Sequence, residues 1–177
     1  MRIKEIFSEV LYIEPQTHKD KRGYFKENFN YRDLKEKGID FNCVQDNLSF
    51  SEQAGTIRGL HYQLDPFEQS KIIYVISGKI FDVFLDIRKS SSTYGEYGSM
   101  ELTKESGFIL VPKGFAHGFC TLEDKTLILY KVDNYYNPDY ETGFIWNDQQ
   151  LSIKWPFSED LCRLSEKDLK LPNFSVN

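Results

Sequence analysis

Between Ile80 and Ile87 the odd positions Phe81, Val83, Leu85 and Ile87 are apolar, while Asp82 and Asp86 fall on the other parity. A period of two predicts a half-buried strand over 80–87, with the aspartates on the less buried face. Lys71 to Ser77 predicts a second strand, and Ser77-Gly78-Lys79 supplies the turn that joins the two as a hairpin. Further strands are predicted at Val10–Glu14, Tyr24–Phe29, Phe108–Val111 and Thr126–Asp133. In the last, Ile128 and Val132 lie on one face and Leu127 and Leu129 on the other, so both faces should be covered. Helical signal is confined to Tyr31–Lys37, ended by Gly38 in a left-handed conformation. After Trp155-Pro156 the chain turns polar, and Leu164–Asp168 reads equally as a loop or a short helix. Many short strands with Gly/Pro turns and little helix predict an all-β sandwich or barrel.

With 177 residues and no internal repeat or linker-like tract, residues 1–177 are expected to form a single domain. The 40% hydrophobic content, rich in Phe and Tyr, is enough for a sizeable core. No apolar run is long enough for a membrane helix, and Met1-Arg2-Ile3-Lys4-Glu5 does not open a signal peptide, so a cytoplasmic protein without membrane contact is expected. A net charge of -5 without a basic stripe argues against nucleic acid, yet leaves room for a small phosphate ligand in a local basic pocket. Cys43, Cys120 and Cys162 are too few and too widely spaced for a disulfide framework or a zinc set, and are expected as reduced, mostly buried thiols.

The chemistry-bearing runs are Arg58-Gly59-Leu60-His61-Tyr62-Gln63, Lys71, Pro112-Lys113-Gly114-Phe115-Ala116-His117, Tyr130 and Asp168. A histidine, a lysine, a tyrosine and a carboxylate can together remove a proton beside a carbonyl and return one from elsewhere. Taken singly each has an ordinary reading. His61 or His117 could be a hydrogen-bonded core residue, Tyr130 and Tyr136 barrel packing, Lys71 a solvated strand start and Asp168 a turn acid. His18 lies outside every motif and is expected in a loop.

The run Gly107 to His117 resembles the second motif of cupins, which fold as small jelly-roll barrels. Metal-binding cupins carry two histidines one residue apart in their first motif. Here Gln63 stands where the second would be, so too few ligands remain for a metal site. Asp20 to Glu27, Val44 to Asn47, Arg58 to Gln63, Pro112 to Phe119, Tyr130-Lys131, Asn134 to Pro138, Trp146-Asn147-Asp148 and Leu164 to Asp168 occur together in the order of one family. Across nearly its whole length the chain resembles the dTDP-4-dehydrorhamnose 3,5-epimerases.

That resemblance implies a cupin-type jelly-roll β-barrel with a few short helices, and catalysis without cofactor or metal. It implies His61 as the base, Asp168 as the carboxylate that orients it, Lys71 beside the sugar 4-keto oxygen and Tyr130 as the acid on the opposite face. Arg22, Glu27, Gln45, Asn47, Arg58, His117, Glu141 and Lys167 are implied in substrate contacts, and Tyr136 in stacking on thymine. One of Tyr24 and Phe25 should also contact ligand, whereas Lys131 and Asp148 acquire no role. The implied partners are a dTDP-linked 4-keto-6-deoxyhexose and a second copy of the chain, paired by strand exchange. The implied setting is the supply of activated deoxysugar for surface polysaccharide. Competing readings are a C3-only epimerase or ketoisomerase on a related nucleotide keto sugar, a non-catalytic nucleotide-sugar-binding cupin, and a metal-dependent cupin, against which Gln63 argues.

Overall fold

The computed structural model describes residues 1–175. In chain order its elements are β1 (Arg2–Phe7), β2 (Val10–Glu14), β3 (Thr17–Asp20), β4 (Gly23–Lys26), the helix α1 (Tyr31–Glu36), β5 (Gln45–Ser51), β6 (Ile57–Gln63), β7 (Lys71–Ser77), β8 (Lys79–Asp86), β9 (Tyr97–Thr103), β10 (Phe108–Val111), β11 (Phe115–Thr121), β12 (Thr126–Val132) and β13 (Glu141–Gly143). Short 3-10 turns cover Pro138–Tyr140, Glu159–Leu161 and Asp168–Lys170. A six-stranded antiparallel sheet runs β1-β2-β10-β7-β12-β5, and a five-stranded one runs β13-β6-β11-β8-β9. No helix among the described residues is long and apolar enough to cross a membrane.

The two sheets face each other over Ile73 and Val75 of β7, Ile80 and Phe84 of β8, Phe115 and Phe119 of β11, and Ile128 of β12. Each sheet is also covered from outside. Leu34 of α1 and Phe41 pack with Ile72, Tyr74 and Leu129 behind the first sheet. Leu151, Phe174 and Trp155 pack with Leu60, Val83 and Leu85 behind the second. Burial of a large apolar side chain contributes roughly 1.5–3 kcal/mol, so this double covering favours strands apolar on both faces. β12 follows that expectation.

β8 departs from its predicted half-buried character. Asp82 and Asp86 are both fully buried, because their parity faces the inside of the barrel and the other parity is sealed by the C-terminal segment. Asp86 accepts hydrogen bonds from Arg88, Ser91 and Thr93, which hold its carboxyl below the usual range although burial pushes the other way. Asp82 is held by His117.

The other boundaries follow local chemistry. α1 starts where the Asn30 side chain accepts from the Asp33 amide at 3.3 Å, and Gly38 beyond its end has φ +83°. β4 is shorter than the predicted Tyr24–Phe29, since Phe29 leaves the strand line to pack edge-on against Phe41 and Asn30 caps the helix. His18 lies in β3 rather than in a loop. All three cysteines are free thiols, but only Cys120 is buried.

One irregularity shapes the site. β6 and β11 pair His61 with His117 and Arg58 with Phe119, so three steps on β6 match two on β11. The extra residue is a β-bulge at Gly59, whose φ is +120°. A Cβ on Gly59 would stand 2.6 Å from the Gly118 Cα, and one on Gly118 would stand 2.7 Å from the Arg58 carbonyl oxygen. The bulge puts Arg58 and His61, which regular alternation would place on opposite faces, on the same inner face.

Candidate active site

Between the sheets lies a cavity of about 550 Å³. Its walls carry Gln45 and Asn47 of β5, Arg58 and His61 of β6, Lys71 of β7, His117 of β11, Tyr130 of β12, Glu141 of β13, and Tyr136, Lys167 and Asp168 from loops and turns. All of these were candidates on sequence grounds.

His61 Nε2 lies 2.6 Å from Asp168 Oδ1, across 107 residues of chain. The Asp168 side chain is only 6% exposed, and its carboxylate can only accept from an ionised state, so Nε2 carries the proton and Nδ1 is left as the basic nitrogen. The Asp168 amide donates to Ser165 Oγ, which fixes the turn that presents the carboxylate. Tyr130 stands on the opposite sheet. Burial and the negative charge of Glu141 raise its hydroxyl pKa, only partly offset by Arg58, so the phenol stays protonated and able to donate. Lys71 Nζ donates to the His61 carbonyl oxygen at 3.4 Å. Desolvation inside the barrel pushes the Lys71 ammonium down to about 8, against the opposing pull of Glu141 and Asp82.

A second group of contacts frames the outer part of the cavity. Glu141 Oε2 accepts from Tyr136 Oη at 2.8 Å and from Lys167 Nζ. Burial raises the Glu141 pKa, but these donors and the nearby His61 outweigh it and the net shift is downward. The Tyr136 amide donates to Gln45 Oε1 at 3.1 Å, and Gln45 Nε2 donates to Asn47 Oδ1 at 2.8 Å. Tyr136 is 45% exposed, which leaves ring surface for stacking. Arg58 donates to the Phe50 carbonyl at 3.1 Å.

Arg22 and Glu27 are not brought to this cavity within one chain. Arg22 is exposed and forked onto Asp20 at 2.6 Å, while Glu27 accepts from Asn30. The reason is topological: β3 and β4 pair only with each other, forming a ribbon outside both sheets. Tyr24 and Phe25 on that ribbon are 65% and 68% exposed.

Sequence reasoning missed two contributors. Asp82 grips His117 Nε2 at 2.8 Å, while its Oδ2 is buried without a partner. An aspartate on the Ile80–Phe84 parity was the available signal, and it was read as the less buried face. Gln63 donates to the Asn137 carbonyl at 3.1 Å and accepts from the Asn137 amide at 2.9 Å, clamping the loop that carries Tyr136. The side chain that replaces a cupin metal ligand is therefore engaged with backbone. Among the described residues no cluster of three or more His, Cys, Asp or Glu is placed to hold a metal ion. Lys131 pairs with Asp46 at 2.8 Å, and Asp148 accepts from the Gln150, Leu151 and Phe174 amides, so both have structural partners.

A family model described as dTDP-4-dehydrorhamnose 3,5-epimerase matches residues 4–175. The chain belongs to this family. The Sinorhizobium fredii dTDP-4-dehydrorhamnose 3,5-epimerase is 45% identical over 167 residues, covering 94% of this chain and 85% of that protein. The crystal structure of the Bacillus anthracis epimerase with TDP and PPi bound superposes with a TM-score of 0.92 at 44% identity, covering 98% of this chain and 100% of that one. The Legionella pneumophila epimerase in complex with dTDP-4-keto-L-rhamnose gives 0.89 at 38% identity and 99% coverage of each chain. The fold is thus the cupin-like jelly roll of these epimerases, and the chain is an isomerase of the epimerase class.

Proposed function

We propose that this epimerase inverts C3 and C5 of dTDP-4-keto-6-deoxy-D-glucose, giving dTDP-4-keto-L-rhamnose. The observation that carries the reading is the His61–Asp168 pair on one wall of the cavity, with Tyr130 on the facing sheet. Protons at C3 and C5 are both α to the 4-ketone. His61 Nδ1 takes one, the C–H electron pair passes into an enolate, and the Lys71 ammonium stabilises the oxygen that gains charge. Tyr130 then protonates the carbon from the other face, which inverts it. The ketone is already present in the substrate, so this sequence calls for no redox cofactor and no metal. Arg58 serves the diphosphate, since guanidinium forks match phosphate oxygens, and Tyr136 serves the thymine ring. The relative that binds dTDP-4-keto-L-rhamnose supports the assigned product.

The same reading includes a homodimer. Arg22 and Glu27 are implied in substrate contact yet lie outside their own chain's cavity, on a ribbon with exposed Tyr24 and Phe25. In the dimer that ribbon serves the cavity of the second copy. Mixing inactive Arg22→Ala and His61→Ala proteins after brief unfolding should then restore activity, because half of the sites in a mixed dimer have both residues; no recovery would sink the shared site.

The reaction is tested by incubation with dTDP-4-keto-6-deoxy-D-glucose in D2O, with deuterium followed at each sugar carbon. Label at both C3 and C5 supports the two-centre reaction. Label at one centre only makes the protein a single-centre epimerase, and none from folded protein rejects the activity.

A further inference from the structure

Two inversions on one bound sugar raise a question of proton balance that one inversion does not. In the first, a C–H bond breaks and His61 Nδ1 gains the proton, while the Tyr130 O–H breaks and its proton goes to carbon. The sugar is then inverted at one centre, but His61 is an imidazolium and Tyr130 a phenolate. Neither can repeat its part until His61 has lost a proton and Tyr130 has gained one, with no net change in the site.

Among the described residues, Asp168, Lys71, His117 and Glu141 adjoin His61. Asp168 holds Nε2, not the Nδ1 that receives the substrate proton, and its side chain is only 6% exposed. Lys71 reaches only the His61 carbonyl oxygen and, as an ammonium, accepts nothing. His117 lies opposite on β11 with its own Nε2 tied to Asp82. The fourth is Glu141, whose Oε1 lies 3.9 Å from Nδ1, the nitrogen that receives the substrate proton. Its other oxygen meets Tyr136 Oη and Lys167 Nζ, and the Lys167 side chain is 58% exposed. Glu141 is therefore a carboxylate with one oxygen toward the base and the other toward solvent-exposed groups. Its place is set by strand pairing: Gly143 of β13 pairs with His61, and a side chain at 143 would strike the Leu60 carbonyl, so β13 lies tight along β6.

We propose that Glu141 carries the proton from His61 to solvent between the two inversions, so that one bound sugar can be turned over at both centres. This rests on the epimerase reading above. At 3.9 Å the neutral imidazole and the carboxylate are not hydrogen-bonded. Once Nδ1 is protonated, the pair is oppositely charged inside a largely desolvated cavity, and attraction closes the gap. The relay therefore engages after the first abstraction and leaves Nδ1 open to the substrate before it. Lys167 and Tyr136 hold the Glu141 pKa below the ordinary value despite burial, so Glu141 is ionised beforehand. It holds the Nδ1 proton on Oε1 only transiently and gives it up to a water molecule, Lys167 and Tyr136 remaining donors to Oε2 throughout. Its charge also reaches Tyr130, where it favours the reprotonated phenol. Tyr130 takes its replacement proton from water, which completes the balance.

The test is the labelling pattern of sugar released in D2O by the wild-type enzyme and by Glu141→Gln, which keeps size and hydrogen bonding but cannot act as a carboxylate base. The ratio of doubly to singly deuterated sugar in early turnover should fall by about 10²-fold in E141Q, the lower end of a general-base contribution. It should recover as acetate is added, because a small carboxylate can substitute for the missing one. An unchanged ratio overturns the relay, whatever happens to KM, and so does a lowered ratio that acetate leaves unmoved, since a purely structural defect would not respond. Wild-type enzyme that incorporates no deuterium fails the underlying activity, a result distinct from either.

Discussion

Two histidine–aspartate pairs sit side by side on neighbouring strands, His61–Asp168 and His117–Asp82, and they have different surroundings. Both are short, at 2.6 and 2.8 Å. The His61 side chain is 23% exposed, faces the cavity, and has a free Nδ1 next to a second carboxylate. The His117 side chain is 9% exposed, its aspartate is completely buried, and one carboxylate oxygen has no partner. On the proposed mechanism the same two functional groups thus form a base in one place and an internal tie in the other. What separates them in the structure is exposure to the cavity and a second carboxylate beside the free nitrogen.

The largest effect is expected from His61→Ala, which should lower kcat by about 10³-fold or more at both sugar carbons, measured by NMR of deuterium exchange. Loss at only one carbon would mean that another group serves the second, with His117 the first to examine. The comparison sharpens when the aspartates are removed separately. Asp82→Ala should lower unfolding stability by about 2–3 kcal/mol in urea titration, since it leaves a buried imidazole N–H unmet and a void behind it. Asp168→Asn should leave the midpoint nearly unchanged but cut kcat by about 10²-fold, through loss of the charge that steadies the imidazolium. Equal stability losses would erase the distinction between the two pairs.

A smaller effect concerns the lysine near both pairs. Lys71 titrates at about 8 in the folded protein, below its ordinary 10.5, so the buried ammonium costs stability at pH below 8 and the cost fades as pH rises toward 10.5. Lys71→Met should therefore raise stability at pH 7 by about 2 kcal/mol, with the gain vanishing above the ordinary lysine pKa. In the unmodified enzyme kcat/KM should fall as pH climbs through about 8, where the enolate loses its cation. A profile flat to pH 10 would mean that Lys71 does not serve the ketone.

Much of this was legible in the chain. β2, β7 and β10 have their predicted bounds, because a short apolar run ended by turn residues leaves little alternative. The His61–Asp168 meeting rested on family resemblance alone, since no periodicity links residues so far apart. Asp82 was misplaced because alternation reports two faces without saying which is sealed. In a barrel wrapped by its own C-terminal segment, the polar parity can be the inner one. The shared face of Arg58 and His61 was hidden by a bulge that breaks the count of two. Arg22 and Glu27 were placed by resemblance without regard to which chain's cavity they would meet.

The glycine seam at 59 and 118 has a consequence for what the enzyme can choose. Arg58 and His61 are held a fixed span apart by a backbone contact too close for any side chain at either glycine. If one end grips the diphosphate and the other the acidic carbon, the seam works as a caliper. It measures the reach from phosphate to reacting centre, so sugars whose acidic carbon lies nearer or farther are refused by length before any hydroxyl is read.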